Sequence, residues 1–279
     1  MMRASVNKIL LRGVLLLGAV YFLLPIWWLI VSATKSSTQL FGSPPLWFAN
    51  GFALFDNIRD ILTTQDGLFG RWLLNTFLYA GVGAAGATLF SAAAGYVLAK
   101  YEFRGREAIF VAILASVLLP AALLVIPLYL LFSQLGIINT IWAVLIPSVV
   151  SPFGVFLSRI YAKDSISDDL IAAARVDGAG DLRIFFTISL RIMSPALITV
   201  FLFSFVGIWN NFFLPMVTLT DNSLWPVTLG LYFLNSQPSQ MNYNLVITGA
   251  LLSTIPLIIA FFGLQKFWRA DLSAGAMKM

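Results

Sequence analysis

Residues 167 to 195 read SDDLIAAARVDGAGDLRIFFTISLRIMSP, a charged stretch that separates two long apolar runs. Ser167 is a favourable N-cap, and the two aspartates after it place negative charge in the first turn, where the helix dipole stabilises it. Gly178 tolerates the left-handed backbone that commonly ends a helix. Asp181 is then positioned to cap a second, amphipathic helix. The stretch therefore predicts a helix, a glycine turn and a second helix, lying between two membrane spans on the water side.

The apolar runs set the class of the protein. The chain has 279 residues, of which 59% are hydrophobic and 10% charged, far from the averages of soluble domains. A membrane span needs ~20 mostly apolar residues. The charge-free run 108–158 would measure about 76 Å as one helix, so it predicts two spans with a turn near residues 136–140. We predict an all-α membrane protein with six spans, at about residues 13–33, 73–99, 108–135, 140–161, 195–218 and 245–267.

Smaller features within this pattern predict local structure. Pro120, Pro127 and Pro147 are expected to kink spans three and four. Residues 52–62 predict a short amphipathic helix on the membrane surface. The small residues at 81–87 in span two are expected to let other helices pack closely.

The distribution of basic residues predicts the orientation. All but three of the 17 Lys and Arg residues lie in the terminal tails, in the turn after span two or between residues 159 and 191. The exceptions are Lys35, Arg59 and Arg71. By the positive-inside rule, both termini and the loop 163–192 are therefore cytoplasmic. The predicted layout is a cytoplasmic N-tail at 1–12, a six-span domain at 13–267 and a cytoplasmic C-tail at 268–279.

Composition also excludes several kinds of chemistry. The chain has no Cys and no His, so it cannot form a disulfide, a thiolate nucleophile or a His/Cys metal site. It contains no Gly-x-x-x-x-Gly-Lys-Ser/Thr phosphate-binding motif. The interiors of the apolar runs carry no charged residue, so an ion-coupled secondary transporter, the alternative function, lacks its usual coupling groups. An intramembrane enzyme likewise lacks its usual catalytic residues. We expect no catalytic residue, metal or cofactor in this chain.

The sequence AARVDGA at 173–179, with the apolar residues and the proline that follow it, resembles the loop of ABC-importer permeases whose pattern begins Glu-Ala-Ala and continues through Asp-Gly-Ala. Two positions depart from that pattern: Ala172 stands where a glutamate is usual, and Arg191 where a proline is usual. In that family the loop forms a coupling helix that inserts into a groove of the ATPase subunit. The resemblance implies these ATPase-coupling residues: Leu170, Ile171, Ala172, Ala173, Ala174, Arg175, Val176, Asp177, Gly178 and Ala179.

An amphipathic connector lying on the membrane surface is the alternative interpretation of this stretch. If the stretch does couple to an ATPase, the missing glutamate removes a charge-assisted contact. We then expect docking to depend on the apolar side chains of Leu170, Ile171 and Val176, with Arg175 and Asp177 as the charged contacts.

Further matches extend the resemblance over nearly everything after span one. They are Asn75-Thr76, Ala94-Gly95-Tyr96, Phe103-Arg104-Gly105-Arg106, Trp209-Asn210-Asn211-Phe212 and Leu272-Ser273-Ala274-Gly275-Ala276. In this order they are similar to the carbohydrate-uptake, MalG-like branch of importer permeases. The resemblance implies the permease subunit of an ATP-driven, binding-protein-dependent sugar or oligosaccharide importer in the plasma membrane of a prokaryote. Its implied partners are a homologous second permease, an ABC ATPase dimer that binds ATP and Mg, and an extracytoplasmic solute-binding protein.

Two sets of residues are candidates for contact with the substrate and the binding protein. Trp209, Asn210 and Asn211 offer an aromatic face and uncharged polar groups, which suit a sugar; the alternative is hydrogen bonding between helices. The loop from Leu219 to Asn244 is expected to contact the binding protein; the alternative is that it only caps the helix bundle. Its candidate residues are Trp225, Tyr232, Phe233, Asn235 and Ser236.

Overall fold

Helices make up the regular structure of the part of the chain that can be described. The structure is a computed structural model and describes residues 2–236 and 243–276, in which no β-strand occurs. The all-α prediction is therefore confirmed. The α-helices are α1 (Met2–Ala33), α2 (Ser37–Gly42), α3 (Leu54–Thr63), α4 (Leu68–Lys100), α5 (Arg106–Ser116), α6 (Val125–Gln134), α7 (Trp142–Ser148), α8 (Pro152–Ser165), α9 (Asp168–Val176), α10 (Asp181–Ile184), α11 (Leu190–Ile192), α12 (Ser194–Trp209), α13 (Phe213–Thr218), α14 (Val227–Asn235) and α15 (Tyr243–Ala276).

Several of these helices are long and apolar enough to cross a membrane. Four single segments qualify: Leu10–Ala33, Leu54–Lys100, Trp142–Ser165 and Tyr243–Gln265. Two bent pairs qualify when taken together: Arg106–Ser116 with Ala121–Gln134, and Asp181–Ile192 with Ser194–Trp209. The described residues thus contain four candidate spans, or six if each bent pair is one span.

The third predicted span is not one straight helix. Helix α5 ends at Ser116, α6 begins at Val125, and the two parts of this pair are bent by 101°. Pro120 lies in the break, so the kink expected there is confirmed. Pro127 lies instead in the first turn of α6, where the missing N–H interrupts no helical hydrogen bond.

Spans four and five are also interrupted. The helix breaks after α7, next to Pro147, but Trp142–Ser165 still qualifies as one candidate span, so the bend there is smaller than in span three. Helix α12 ends at Trp209 rather than continuing to residue 218, and the short α13 follows after residues 210–212. The loop after α13 contains α14, which the sequence did not predict. The amphipathic helix predicted at 52–62 is present as α3.

The chain divides into two compact units, Met1–Gly70 with Leu231–Ile255 and Arg71–Gly230 with Pro256–Met279. In the first unit, two amide side chains hold the end of α1. Asn57 Nδ2 donates to Ala33 O and to Lys35 O at 2.8 and 2.9 Å. Asn244 Nδ2 donates to Lys35 O at 2.7 Å. These bonds satisfy carbonyls that a helix end leaves without partners.

Glycines of α4 allow close helix packing in the second unit. A Cβ added at Gly83 would lie 2.9 Å from the Cβ of Ser148, and one added at Gly86 would lie 2.6 Å from a methyl group of Val149. The backbone of α4 therefore lies directly against the end of α7, as the small residues of span two predict. Gly81 has open space around it and does not contribute.

The backbone of residues 219–225, also in the second unit, is hydrogen-bonded by side chains from two other parts of the chain. Four side chains of α4 donate hydrogen bonds of 2.8–3.0 Å to their backbone carbonyls: Arg71, Trp72, Asn75 and Tyr79. The Oδ1 of Asn139 accepts from the backbone N–H groups of Thr220 and Asp221 at 3.0 and 2.8 Å. The polar backbone of this segment is thereby satisfied within the chain.

Candidate functional site

The predicted helix–turn–helix at residues 167–192 is present. Ser167 Oγ accepts from the backbone N–H of Leu170 at 3.3 Å, which caps α9 as expected. Gly178 has a φ of +80°, a left-handed conformation that strains any other L-residue. The N–H of Ala179 donates to Ala174 O at 2.9 Å and closes the turn.

The second helix is not capped by Asp181, contrary to the prediction. Gly180 occupies the N-cap, and Asp181 is the first residue of α10. Its carboxylate instead accepts from Arg175, with Oδ1 3.0 Å from Nη2 and 3.3 Å from Nε. The hydrogen bond and the charge of Asp181 raise the pKa of the Arg175 guanidinium. This ion pair links the two helices across the glycine turn.

One face of α9 is buried in the core of the chain. Ile171 and Ala174 are 6% and 8% exposed, and they belong to the same apolar cluster as Tyr96 at the end of α4 and Met193 before α12. We expected Ile171 to insert into a partner. The structure places it in the chain's own core instead, because the face of α9 that carries it lies against the end of α4.

The other face of the element is apolar and exposed. Val176 is 88% exposed, and in the following helix Leu182 and Phe186 are 76% and 54% exposed. Leu170 is partly exposed as well. We call these four residues the exposed patch. Leu182 and Phe186 were not among the predicted coupling residues, although their four-residue spacing places both on one helical face.

Lys100, the last residue of α4, ties the start of α9 to this helix. Its Nζ donates to Asp168 Oδ1 at 2.9 Å and also to the carbonyl of Ile166. The Lys100 side chain is nearly buried, whereas that of Asp168 is exposed. Next to this pair lies a cavity of about 130 Å³, with Ala172 in its wall. The remaining lining residues are Tyr96, Lys100, Tyr101, Asp168, Ile171 and Arg175.

The candidate substrate residues lie at the break that ends α12. Trp209 is 2% exposed and packs edge-on against Phe77, with ring centroids 4.9 Å apart. Asn210 is exposed, and its Nδ2 donates to the carbonyl of Val206 at 2.8 Å. The backbone carbonyl of Asn211 accepts from Thr228 at 2.9 Å. Asn210 is therefore exposed and Asn211 partly exposed, whereas Trp209 lies in the core beside them.

The candidate binding-protein residues have different surroundings. Trp225 packs against Trp72 with ring centroids 6.2 Å apart, and its Nε1 donates to Leu219 O at 3.2 Å. Tyr232 and Phe233 are 47% and 36% exposed. Asn235 and Ser236 are exposed too, whereas residues 237–242 of this loop lie outside the described residues. Within the described ranges, no group of three or more acidic residues could hold a metal ion.

Comparison with known proteins identifies the family. The family of binding-protein-dependent transport system inner membrane components matches residues 87–272, a range that contains α9, the glycine turn and the break after α12.

The chain belongs to this family.

Curated relatives cover almost the whole permease. The arabinooligosaccharides transport system permease protein AraQ of Halalkalibacterium halodurans is 34% identical, over 90% of this chain and 89% of its own. The lactose transport system permease protein LacG of Rhizobium radiobacter is 32% identical, over 95% and 94%. A crystal structure of a bacterial ABC transporter involved in the import of the acidic polysaccharide alginate has a chain that matches with a TM-score of 0.82 at 25% identity, covering 94% of this chain and 96% of that one.

These findings establish what kind of subunit the chain is. It is a multi-pass membrane permease of an ABC importer and not an enzyme, because ATP hydrolysis in this family belongs to a separate subunit. Importers of this family work in general with a second permease, an ATPase and a solute-binding protein. The comparisons support the ABC-importer interpretation and not the ion-coupled carrier.

Proposed function

We propose that this permease imports a sugar or an oligosaccharide, and that residues 163–192 couple its movement to ATP hydrolysis on a partner. The two faces of α9 are the main support. Ile171 and Ala174 fix the helix to the core, while the exposed patch is left for a partner. The substrates printed in the names of AraQ and LacG support the choice of a sugar.

The contacts of α9 provide a path for force. Lys100 and Tyr96 connect α9 to the end of α4, and Met193 connects the same cluster to the start of α12. Packed side chains and ion pairs resist displacement better than a solvated loop does. A push on α9 is therefore delivered to α4 and α12. The far end of α12 carries Trp209, so movement of this helix would also move the adjacent asparagines.

The proposed layout has six spans, with each bent pair counted as one, and both termini in the cytoplasm. The positive-inside distribution supports it. The boundaries are an N-tail at 1–12, a permease domain at 13–267 and a C-tail at 268–279, with the coupling loop at 163–192. In this orientation the exposed patch faces the cytoplasm, where an ATPase is located.

The proposed substrate contacts are the amides of Asn210 and Asn211. An uncharged polar site suits a ligand with many hydroxyl groups, and the apolar runs 72–99, 108–158 and 192–220 contain no charged residue. Four exposed residues in the proposed extracytoplasmic loop remain candidates for binding-protein contact: Tyr232, Phe233, Asn235 and Ser236. Trp225 fits the capping role better, because both its ring and its N–H are engaged within the chain.

The proposed assembly contains a homologous second permease, an ABC ATPase dimer with its ATP and Mg, and an extracytoplasmic solute-binding protein. Uptake by proteoliposomes tests this proposal. Vesicles containing the complete importer should accumulate a sugar only with ATP inside and the loaded binding protein outside. Collapsing the ion gradients should leave the rate unchanged. Uptake that follows an ion gradient without ATP would contradict the proposal.

A further inference from the structure

The first helix is exposed over most of its length in the single chain. Its consecutive residues Val14, Leu15, Leu16 and Leu17 are 59–73% exposed. Four consecutive helical residues point in directions ~100° apart, so together they cover the whole circumference. One neighbouring helix cannot cover all four sides. Even with a partner subunit on one side, part of the surface of this helix would therefore face lipid.

The chain after α1 turns back and runs beside this exposed helix. Trp27 Nε1 donates to Leu46 O at 2.9 Å, although Trp27 lies six positions before the end of α1. At ~1.5 Å per residue, this contact is about 9 Å inside the helix end. The chain then returns to that end, where Ala53 N–H donates to Thr34 O at 2.8 Å. Residues 44–55, which we call the aromatic loop, thus run alongside the last turns of α1 and then return to its C-terminal end.

Two aromatic rings lie where the aromatic loop reaches farthest from the C-terminal end of α1, and both remain exposed. The ring centroids of Trp47 and Phe48 lie 6.3 and 5.7 Å from that of Trp27. Trp47 is 65% exposed and Phe48 40%. Two more exposed rings, Phe52 and Phe55, lie on the returning part of the loop.

The polar groups of the segment fit a boundary between lipid and water. Residues 36–55 contain no charged side chain, and charge resumes only at Asp56. Gln39 bonds the carbonyl of Asn50, so part of the loop backbone is satisfied without water. Beyond the loop, Asp60 on α3 is exposed on the charged side of that helix.

We propose that the aromatic loop is a lipid-binding surface. It lies in the leaflet that surrounds the C-terminal end of α1, with Trp47 and Phe48 at the junction of head groups and acyl chains. Aromatic rings favour this level because one side of the layer is apolar and the other wet. Without charge of its own, the loop recognises the acyl-chain boundary and not a particular head group. This inference does not depend on the substrate of the importer.

This chain contains no cysteine, so one introduced cysteine is unique within it, and any cysteines of the partner subunits are replaced first. Trp47→Cys carries a nitroxide in the assembled importer, reconstituted in phosphatidylcholine nanodiscs. Leu16→Cys serves as the lipid control and Asp60→Cys as the water control. Power-saturation EPR then compares the access of oxygen with that of a water-soluble nickel chelate. We expect the label at 47 to favour oxygen, as the label at 16 does, and the label at 60 to favour nickel.

Several results would overturn the proposal. Nickel access at 47 equal to that at 60 would place the loop in water. Low access of both reagents, or protection that appears only when the binding protein is added, would show that a protein covers the loop. Phe52→Cys repeats the measurement on the returning part, so a poorly assembled Trp47 variant does not decide the outcome. Replacing half of the lipid with phosphatidylglycerol should leave the oxygen preference unchanged; a clear shift would contradict recognition without head-group choice.

Discussion

Two connections between apolar helices in the second unit, residues 167–192 and 219–225, are held in opposite ways. The 219–225 segment receives hydrogen bonds from α4 and from Asn139 on its backbone, so its polar groups are engaged inside the chain. Residues 167–192 are held by one buried apolar face and by ion pairs, and they leave the exposed patch uncovered. One connection closes a surface of the permease, and the other keeps a surface available. Substitutions that act on one face or one connection at a time test this difference.

The largest effect is expected from placing the same charge on the two faces of α9. Ile171→Asp buries a carboxylate in an apolar cluster and should cost about 3 kcal/mol or more in stability. Val176→Asp should leave the permease folded, because the site is exposed. It should weaken ATPase binding at least ~10-fold, since burial of one valine contributes about 1.5 kcal/mol or more.

Thermal unfolding of the purified permease pair and retention of the ATPase would be measured for both variants. If Ile171→Asp unfolds at the wild-type temperature, α9 is not anchored through this face. If Val176→Asp retains the ATPase fully, the exposed patch is not the docking surface.

A smaller effect is expected at the glycine turn. Gly178→Val forces a β-branched residue into a left-handed backbone at a cost of ~1–2 kcal/mol, which should reorient α10 relative to α9 and reduce substrate-stimulated ATP hydrolysis. Gly180→Ala is the matched control, because Gly180 has a φ of −73° and open space around it. Equal hydrolysis by both variants would show that the turn geometry does not matter for coupling.

In the 219–225 segment, Tyr79→Phe removes the hydroxyl that donates to Leu224 O at 2.8 Å. We expect a loss of about 1 kcal/mol in stability, because the carbonyl loses its partner. The exposed patch is untouched, so ATPase retention in the same preparation should remain at the wild-type level. Release of the ATPase by this variant would mean that the two connections are not independent.

The smallest effect is expected from pH at Asp221. Its carboxylate accepts from the N–H of Ser223, and this backbone hydrogen bond, followed by further bonding to Ser223, lowers the pKa of Asp221. A lowered folded-state pKa contributes stability above the unfolded-state value of about 3.9, and the contribution is lost as pH falls through the folded-state value. Between pH 5 and 3, the unfolding temperature of the Asp221→Asn variant should therefore fall less steeply than that of the wild type. An unchanged slope would show that Asp221 does not stabilise the segment.

Local signals explain the parts of the coupling element that were predictable. Ser167 and Gly178 each determine the backbone conformation only within a few neighbouring residues. The helix start and the turn can therefore be predicted from the sequence. The inward direction of Ile171 does not, because α9 carries apolar side chains on both faces and only tertiary packing decides which face is covered. The same holds for Asp181, which had two possible partners: the backbone of its own helix, and Arg175 across the turn.

The long apolar runs gave the membrane class but not the path of the chain within it. Prolines marked the breaks near Pro120 and Pro147. The break after Trp209 has no proline, and its position depends on how the neighbouring rings and Thr228 engage residues 209–211. The burial of Lys35 could not be predicted from the sequence either, because residues far away in the sequence complete its environment.

Lys35 has a bearing on how the permease is made. The residue is 1% exposed, and its Nζ donates to Pro44 O at 2.7 Å. Its own carbonyl is bonded by Asn57, which is synthesised soon afterwards, and by Asn244, which lies 209 positions later. During translation, the first unit therefore stays open until the last helix has entered the membrane. A chain interrupted before α15 would therefore lack one of the two amide side chains that donate to the Lys35 carbonyl.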